Sequence, residues 1–139
     1  RAAGPRARLF HGTAELLPGL TLATIGVSDG SQLTVVVTSA LQVVSASDDG
    51  TAKIWNADTG ECLHTLEGHE AAVCFAVFSP DAVLVLTASH DHSAKLWHAK
   101  TGESLRTLCG HSSYLSSAAF SPDGVLALTA SLDLTAMIW

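Results

Sequence analysis

Three residue types that can build a catalytic site recur together along this chain. They stand at His69, Ser89 and Asp91, and again at His111, Ser131 and Asp133. In an enzyme with a catalytic serine, a histidine takes the proton from the serine hydroxyl while a carboxylate orients the imidazole. Such a site also needs an oxyanion hole, and the sequence has no Gly-x-Ser-x-Gly turn. Because an active site is normally single, a set that recurs indicates a part of the scaffold.

The recurrence has a fixed period of 42 residues. The residues repeated at this step are Ser47, Ser89 and Ser131, then Asp49, Asp91 and Asp133, and finally Trp55, Trp97 and Trp139. A Gly-His pair and a Phe-Ser-Pro-Asp stretch, beginning at Gly68 and Phe78, each recur once at the same step. A period of about 40–45 residues is typical of repeats that each form one small sheet.

The middle unit reads as four short strands separated by turn residues. The strands are predicted at residues 73–78, 83–89, 93–97 and 104–108. Pro80 and the tight turn around Asp91 interrupt the apolar runs, and Gly110 ends the last one. Four antiparallel strands in one such period predict the blade of a β-propeller.

At this point the units resemble WD repeats, which build β-propellers. The matching features are the Gly-His pairs, the Phe-Ser-Pro-Asp turns and the closing Leu96-Trp97 and Ile138-Trp139. The resemblance implies an all-β fold, a partial β-propeller of four-stranded antiparallel blades with about three repeats and an incomplete ring. We expect an irregular segment or linker at residues 1–19 and a propeller portion at 20–139. Its repeats would span about 26–67, 68–109 and 110–139.

The resemblance also assigns the recurring polar residues a structural role. In WD repeats, a histidine, a serine, an aspartate and a tryptophan form a hydrogen-bonded tetrad within each blade. Two complete tetrads are expected, His69–Ser89–Asp91–Trp97 and His111–Ser131–Asp133–Trp139. The first unit holds only Ser47, Asp49 and Trp55, with Val27 at the histidine position. We therefore expect no catalytic residues in these sets, and we expect the first blade to be the least rigid.

WD-repeat proteins commonly hold partners on the rim that carries the Gly-His loops and the turns between second and third strands. Carried over to this chain, the rim residues are Asp48, Glu70, His90, His92, Ser112, Tyr114, Leu132 and Leu134. Leu132 and Leu134 are unusual on a turn. They could anchor a partner, or they could be covered by further blades of the same propeller, which the ring needs for closure.

Composition excludes several classes of function. The formal net charge is −6, and no cluster of Lys or Arg follows Arg8, so nucleic-acid binding is not expected. No apolar run approaches the roughly 20 residues of a membrane span. Cys62, Cys74 and Cys109 are odd in number and lack a CxxC spacing, which favours three reduced, buried thiols. We expect an intracellular location, cytoplasmic or nuclear.

Two further readings of short stretches are weaker. His90, His92 and His98 could bind zinc, but the first two lie on a turn tip and His98 should point to the opposite rim. Exposed turn histidines are the simpler reading, so no metal and no cofactor are expected. The N-terminal stretch RAAGPRARL could be a targeting segment or a plain linker.

The sequence thus favours a non-catalytic scaffold that presents a rim to partner proteins. A regulatory or sensor propeller in a larger protein with an NTPase or kinase domain is the alternative, and an enzyme with a site in the central channel would need an unrepeated polar cluster that we do not find. Three blades alone would expose apolar faces, so we expect this stretch by itself to aggregate or fold poorly.

Overall fold

The computed structural model describes residues 6–11, 14–16, 34–38 and 41–139, which fall into two compact units, Arg1–Leu41 and Gln42–Trp139. In the first unit, β1 (Arg6–His11) pairs antiparallel with both β2 (Ala14–Leu16) and β3 (Thr34–Thr38). Two strands therefore lie where an irregular segment was expected, because β1 finds its pairing partner in the β-branched residues of β3. Val27, the residue at the histidine position of the first repeat, lies outside the described residues.

The second unit consists of antiparallel strands in three sheets, as the all-β prediction requires. The first sheet holds β4 (Gln42–Ala46), β5 (Ala52–Asn56) and β6 (Cys62–Leu66). The middle sheet holds β7 (Val73–Phe78), β8 (Leu84–Ser89), β9 (Ser93–His98) and β10 (Ser104–Cys109). The third sheet holds β11 (Leu115–Phe120), β12 (Ala127–Ser131) and β13 (Ala136–Ile138). The four strands predicted for the middle unit are confirmed to within one residue at each end.

The sheets pack face to face in chain order. Strand β4 contacts β7, and β7 contacts β11, so within Gln42–Trp139 the three sheets form a row that does not close into a ring. Adjacent side chains of β8 pack against different neighbouring sheets, because side chains alternate between the two faces of a strand. Val85 packs toward the first sheet, and Leu86 packs toward the third. The middle sheet is therefore buried on both faces.

The turns at the two ends of the strands differ in chemistry. At one end, Ser79 donates a hydrogen bond to Asp81 and accepts one from the Leu84 amide, which fixes the β7–β8 turn. At the other end lie the β8–β9 turn and the loop that enters β7, since neighbouring strands are antiparallel. We call this second end of the sheets the rim.

The three cysteines are free, and they are less buried than predicted. Cys62 and Cys109 are exposed, and Cys74 is half-buried. Cys62 and Cys109 lie on the outer strands β6 and β10, each of which has one neighbouring strand in its sheet. An apolar strand pattern therefore overestimates burial at the outer edge of a blade.

Candidate functional site

A buried chain of hydrogen bonds joins the entry loop of the middle sheet to its second and third strands. His69 Nδ1 lies 2.7 Å from Asp91 Oδ2, and His69 Nε2 lies 2.8 Å from Thr87 Oγ1. Trp97 Nε1 donates to the same Thr87 Oγ1 over 2.8 Å. The chain of contacts thus runs from tryptophan through threonine and histidine to aspartate.

Thr87 takes the place in this chain that the sequence reading gave to Ser89. Ser89 lies at the end of β8, where its hydroxyl donates to the Ala71 carbonyl over 3.0 Å and accepts from the Asp91 amide over 3.0 Å. It therefore secures the turn, and it does not bridge histidine to tryptophan. The hydroxyl signal was present in the sequence, because Ser45, Thr87 and Thr129 recur at the same 42-residue step.

The third sheet repeats the arrangement. His111 Nδ1 lies 2.8 Å from Asp133 Oδ2, and His111 Nε2 lies 2.9 Å from Thr129 Oγ1. Trp139 Nε1 donates to Thr129 Oγ1 over 3.0 Å. Ser131, like Ser89, bonds backbone instead, donating to the Tyr114 carbonyl and accepting from the Asp133 amide. The correction from serine to threonine therefore applies to both sets.

The first sheet carries part of the set. Trp55 Nε1 donates to Ser45 Oγ over 2.9 Å, which again is two residues before the predicted Ser47. Ser47 accepts from the Asp49 amide, and Asp49 Oδ1 accepts from the amide and hydroxyl of Thr51. The histidine position of this repeat lies outside the described residues.

Each aspartate of the complete sets ties two segments together. Asp91 Oδ2 accepts from the Glu70 amide as well as facing His69, while Oδ1 accepts from the amide and hydroxyl of Ser93. Burial by itself would raise the pKa of Asp91, but the hydrogen bonds from Ser93, His69 and Glu70 lower it to about 2. The carboxylate therefore stays charged at neutral pH. Hydrogen bonds, led by the one from Thr135, likewise hold the pKa of Asp133 well below its usual range.

The environment of the His69 imidazole favours its neutral form. Burial lowers the pKa of His69, and this effect outweighs the opposing influence of the Asp91 carboxylate. Because Trp97 donates to Thr87, the threonine hydroxyl can donate in turn to Nε2, which leaves Nδ1–H to face Asp91. In this arrangement both ring nitrogens of His69 have a hydrogen-bond partner.

The rim turns carry residues that do not repeat, in a backbone conformation that does. Gly50 has φ 87°, and the matching residues of the next two sheets are His92 at φ 70° and Leu134 at φ 69°. This left-handed conformation suits glycine and costs other residues about 1–2 kcal/mol. Leu134 is 96% exposed and Leu132 is 62% exposed, so neither is held in place by burial.

An aromatic cluster joins the second and third sheets at the rim. The His90 ring stacks on Tyr114 with 4.8 Å between ring centroids, and the His92 ring meets Tyr114 at 5.5 Å and 51°. Tyr114 is still 48% exposed, and its carbonyl accepts from the Leu132 amide over 2.9 Å. The predicted rim residues of these two sheets therefore meet in one surface.

The other predicted rim residues flank this surface. Asp48 is exposed on the turn of the first sheet, and Glu70 and Ser112 are exposed on the entry loops. The backbone amide of Glu70 donates a hydrogen bond to Asp91, and that of Ser112 donates one to Asp133. Among the described residues, no group of His, Cys, Asp and Glu is placed to hold a metal ion, and His98 instead contacts Thr101 at the opposite end. No helix in the described part of the chain could cross a membrane.

Comparisons with known proteins agree with this geometry. The family model described as "WD domain, G-beta repeat" matches residues 23–56, 60–98 and 102–139. The chain is 50% identical over 38 residues to the WD repeat-containing protein pop1 of Schizosaccharomyces pombe. It is 53% identical over 36 residues to a probable E3 ubiquitin ligase complex SCF subunit, sconB, of Arthroderma otae. It is 42% identical over 43 residues to the F-box-like/WD repeat-containing protein TBL1X of Mus musculus.

These likenesses are confined to about one repeat. The matched segments cover 27%, 26% and 31% of this chain, and 5%, 5% and 8% of the three relatives. The match of the family model is broader, because it takes in three repeats and most of the chain. With its period, its antiparallel sheets and its repeated hydrogen-bonded sets, the chain belongs to the WD40 repeat family.

Proposed function

We propose that this chain is a non-catalytic protein-interaction module and that its rim holds a partner protein. The observation that carries the proposal is a contrast at the rim between the buried hydrogen-bonded residues, which repeat, and the turns above them, which do not. The buried set of His, Thr, Trp and Asp repeats from the middle to the third sheet. Above it, the turn residues differ from sheet to sheet, and the exposed His92 and Leu134 keep a strained backbone. Strained, exposed residues held by a fixed scaffold are typical of binding sites.

The buried sets lack what a catalytic site needs. Thr87 and Ser89 are both 0% exposed, and the hydroxyl of each is already hydrogen-bonded. A nucleophile must meet its substrate at bonding distance with its base free to accept the proton. Because Nε2 of His69 is already hydrogen-bonded to Thr87, these residues are better suited to stabilising the sheet than to taking a proton from a nucleophile.

The free thiols fit the location that we propose. Two of the three cysteines are exposed and unpaired, and such thiols persist in a reducing compartment. We therefore place the module inside the cell, in the cytoplasm or the nucleus. One relative is named as a ligase complex subunit and another as an F-box-like protein, which supports a partner that belongs to a larger assembly.

Affinity capture from cell extract, followed by mass spectrometry, tests this function with Leu132→Asp. The substitution places a charge on a side chain that is 62% exposed, so the fold should survive while an apolar contact is lost. We expect specific partners of the wild-type chain to be lost or reduced at least about 10-fold, as for a contact worth about 1.4 kcal/mol.

The matched control is Val125→Asp. Val125 is 75% exposed on the turn between β11 and β12, at the opposite end of the same sheet. This variant should retain the partners that the wild-type chain captures. If Leu132→Asp retains every partner while its thermal unfolding is unchanged, the rim is not the binding surface.

A further inference from the structure

The rim is a continuous surface across the three sheets. The turn at Gly50 packs against the backbone carbonyls of His69 and Ala71. The His90 amide donates to the Ala72 carbonyl over 2.9 Å, and the His90 ring stacks on Tyr114. The Leu132 amide then reaches the Tyr114 carbonyl. An unbroken series of contacts thus connects the turn of the first sheet with the turn of the third.

The turns and entry loops of this surface carry formal charge of one sign, whereas Lys53 and Lys95 lie on the adjoining strands β5 and β9. Its turns and entry loops, residues 48–51, 67–72, 90–92, 109–114 and 132–135, contain six carboxylates and no Lys or Arg. The six are Asp48, Asp49, Glu67, Glu70, Asp91 and Asp133. Asp49, Asp91 and Asp133 accept hydrogen bonds from their own turns, whereas the other three are exposed acids. Their fields add at the surface.

The acids and the apolar residues occupy different parts of the rim. Asp48 and Glu70 lie at the first and middle sheets, and Leu132 and Leu134 project from the third. A ligand that matches both parts carries an apolar group at one end and positive charges along the rest. Anionic ligands, phosphorylated peptides included, are bound by Arg and Lys clusters, and these turns have none.

We infer that the rim binds an extended basic peptide segment of a partner protein, with an apolar side chain on Leu132 and Leu134 and Lys or Arg opposite Glu70 and Asp48. The inference rests on the proposed function. Packed sheets lie about 10 Å apart, and an extended chain advances about 3.3 Å per residue. The first basic residue should therefore lie about three positions from the apolar one, and the second about six.

The test is selection from a heptapeptide phage library, using as bait a preparation of the full chain whose thermal unfolding is cooperative. We expect enrichment of Leu, Ile, Met or Phe at one end with Lys or Arg three and six positions away. Affinity of a selected peptide, measured by fluorescence polarisation, should fall as salt rises, because exposed charges are screened. Enrichment of Asp or Glu, no charge preference, or no enrichment at all would overturn the inference.

A charge exchange adds a second readout. Glu70→Lys should weaken a selected Lys peptide about 5-fold or more and strengthen its Glu analogue, while Val125→Asp should change neither. A synthetic phosphoserine version of the same peptide should bind more weakly than the Lys form, and tighter binding would overturn the inference. If Leu132→Asp loses captured partners but no basic peptide is selected, the inference fails and the proposed function stands. If Leu132→Asp keeps all partners, the proposed function itself fails.

Discussion

Replacing Thr87 by valine removes one hydroxyl from the centre of the middle sheet. Valine keeps the branched shape of threonine, so β8 retains its packing and no large cavity forms. What changes is that His69 Nε2 and Trp97 Nε1 lose the oxygen that lies 2.8 Å from each. Both groups are buried beside Thr87, which has no exposed surface.

The expected cost follows from the two groups left without a partner. A buried donor or acceptor that loses its hydrogen bond costs about 1–3 kcal/mol. Two such groups give about 2–4 kcal/mol, allowing for partial relaxation and for their shared partner. Domains of this size are stable by about 5–15 kcal/mol, so the middle sheet should lose a large part of its margin.

Ser45→Ala is the matched control for this variant. Ser45 accepts the equivalent bond from Trp55, but it is exposed, and water can replace the hydroxyl. We expect a cost of about 1 kcal/mol or less. Urea denaturation followed by tryptophan fluorescence gives the free energy of unfolding, and amide exchange assigns the loss to the middle sheet. If Thr87→Val costs no more than Ser45→Ala, the hydroxyl does not hold the set together.

Three further outcomes are expected. Stability should fall on acidification. The first loss should come below about pH 6.5, because the lowered pKa of His69 favours the neutral imidazole in the fold, and the second between about pH 4 and pH 2, as Asp91 is protonated. Urea midpoints that stay constant from pH 7 to pH 3 would contradict this. Leu134→Gly should raise stability by about 0.5–1 kcal/mol, since relief of the positive φ exceeds the entropy of glycine, yet it should weaken partner capture; a loss of stability would show that Leu134 is a packing residue. Amide exchange should be faster in β4 than in β8, and equal protection would contradict the prediction that the first sheet is the least rigid.

The repeat made most of the fold predictable. Strands β7 to β10 follow from apolar runs and turn residues that are local in sequence, and the 42-residue step transfers them to the third sheet. Strands β1 and β2 carry no repeat; β1 pairs with its neighbour β2 and also with β3, which lies much further along the chain. The 42-residue period therefore does not predict β1, whose longer pairing joins residues that are distant in sequence.

The hydrogen-bonded sets were predictable by residue type and less so by position. Thr87 and Ser89 lie on the same face of β8, because they are two residues apart, so alternation cannot distinguish them. The structure distinguishes them by their position along β8, since Ser89 lies at the strand end beside the Asp91 amide. The stacking of His90 on Tyr114 was also beyond the sequence, because it depends on how two sheets pack.

The central claim is that residues of the rim, and not the repeated buried sets, make contact with a partner. The most direct measurement places a photo-crosslinking phenylalanine analogue at Leu132 or at Val125, two exposed apolar positions at opposite ends of the third sheet. After irradiation in cells, we predict covalent partner adducts from position 132 that are absent from position 125. Adducts from position 125 alone, or from both positions equally, would contradict the account.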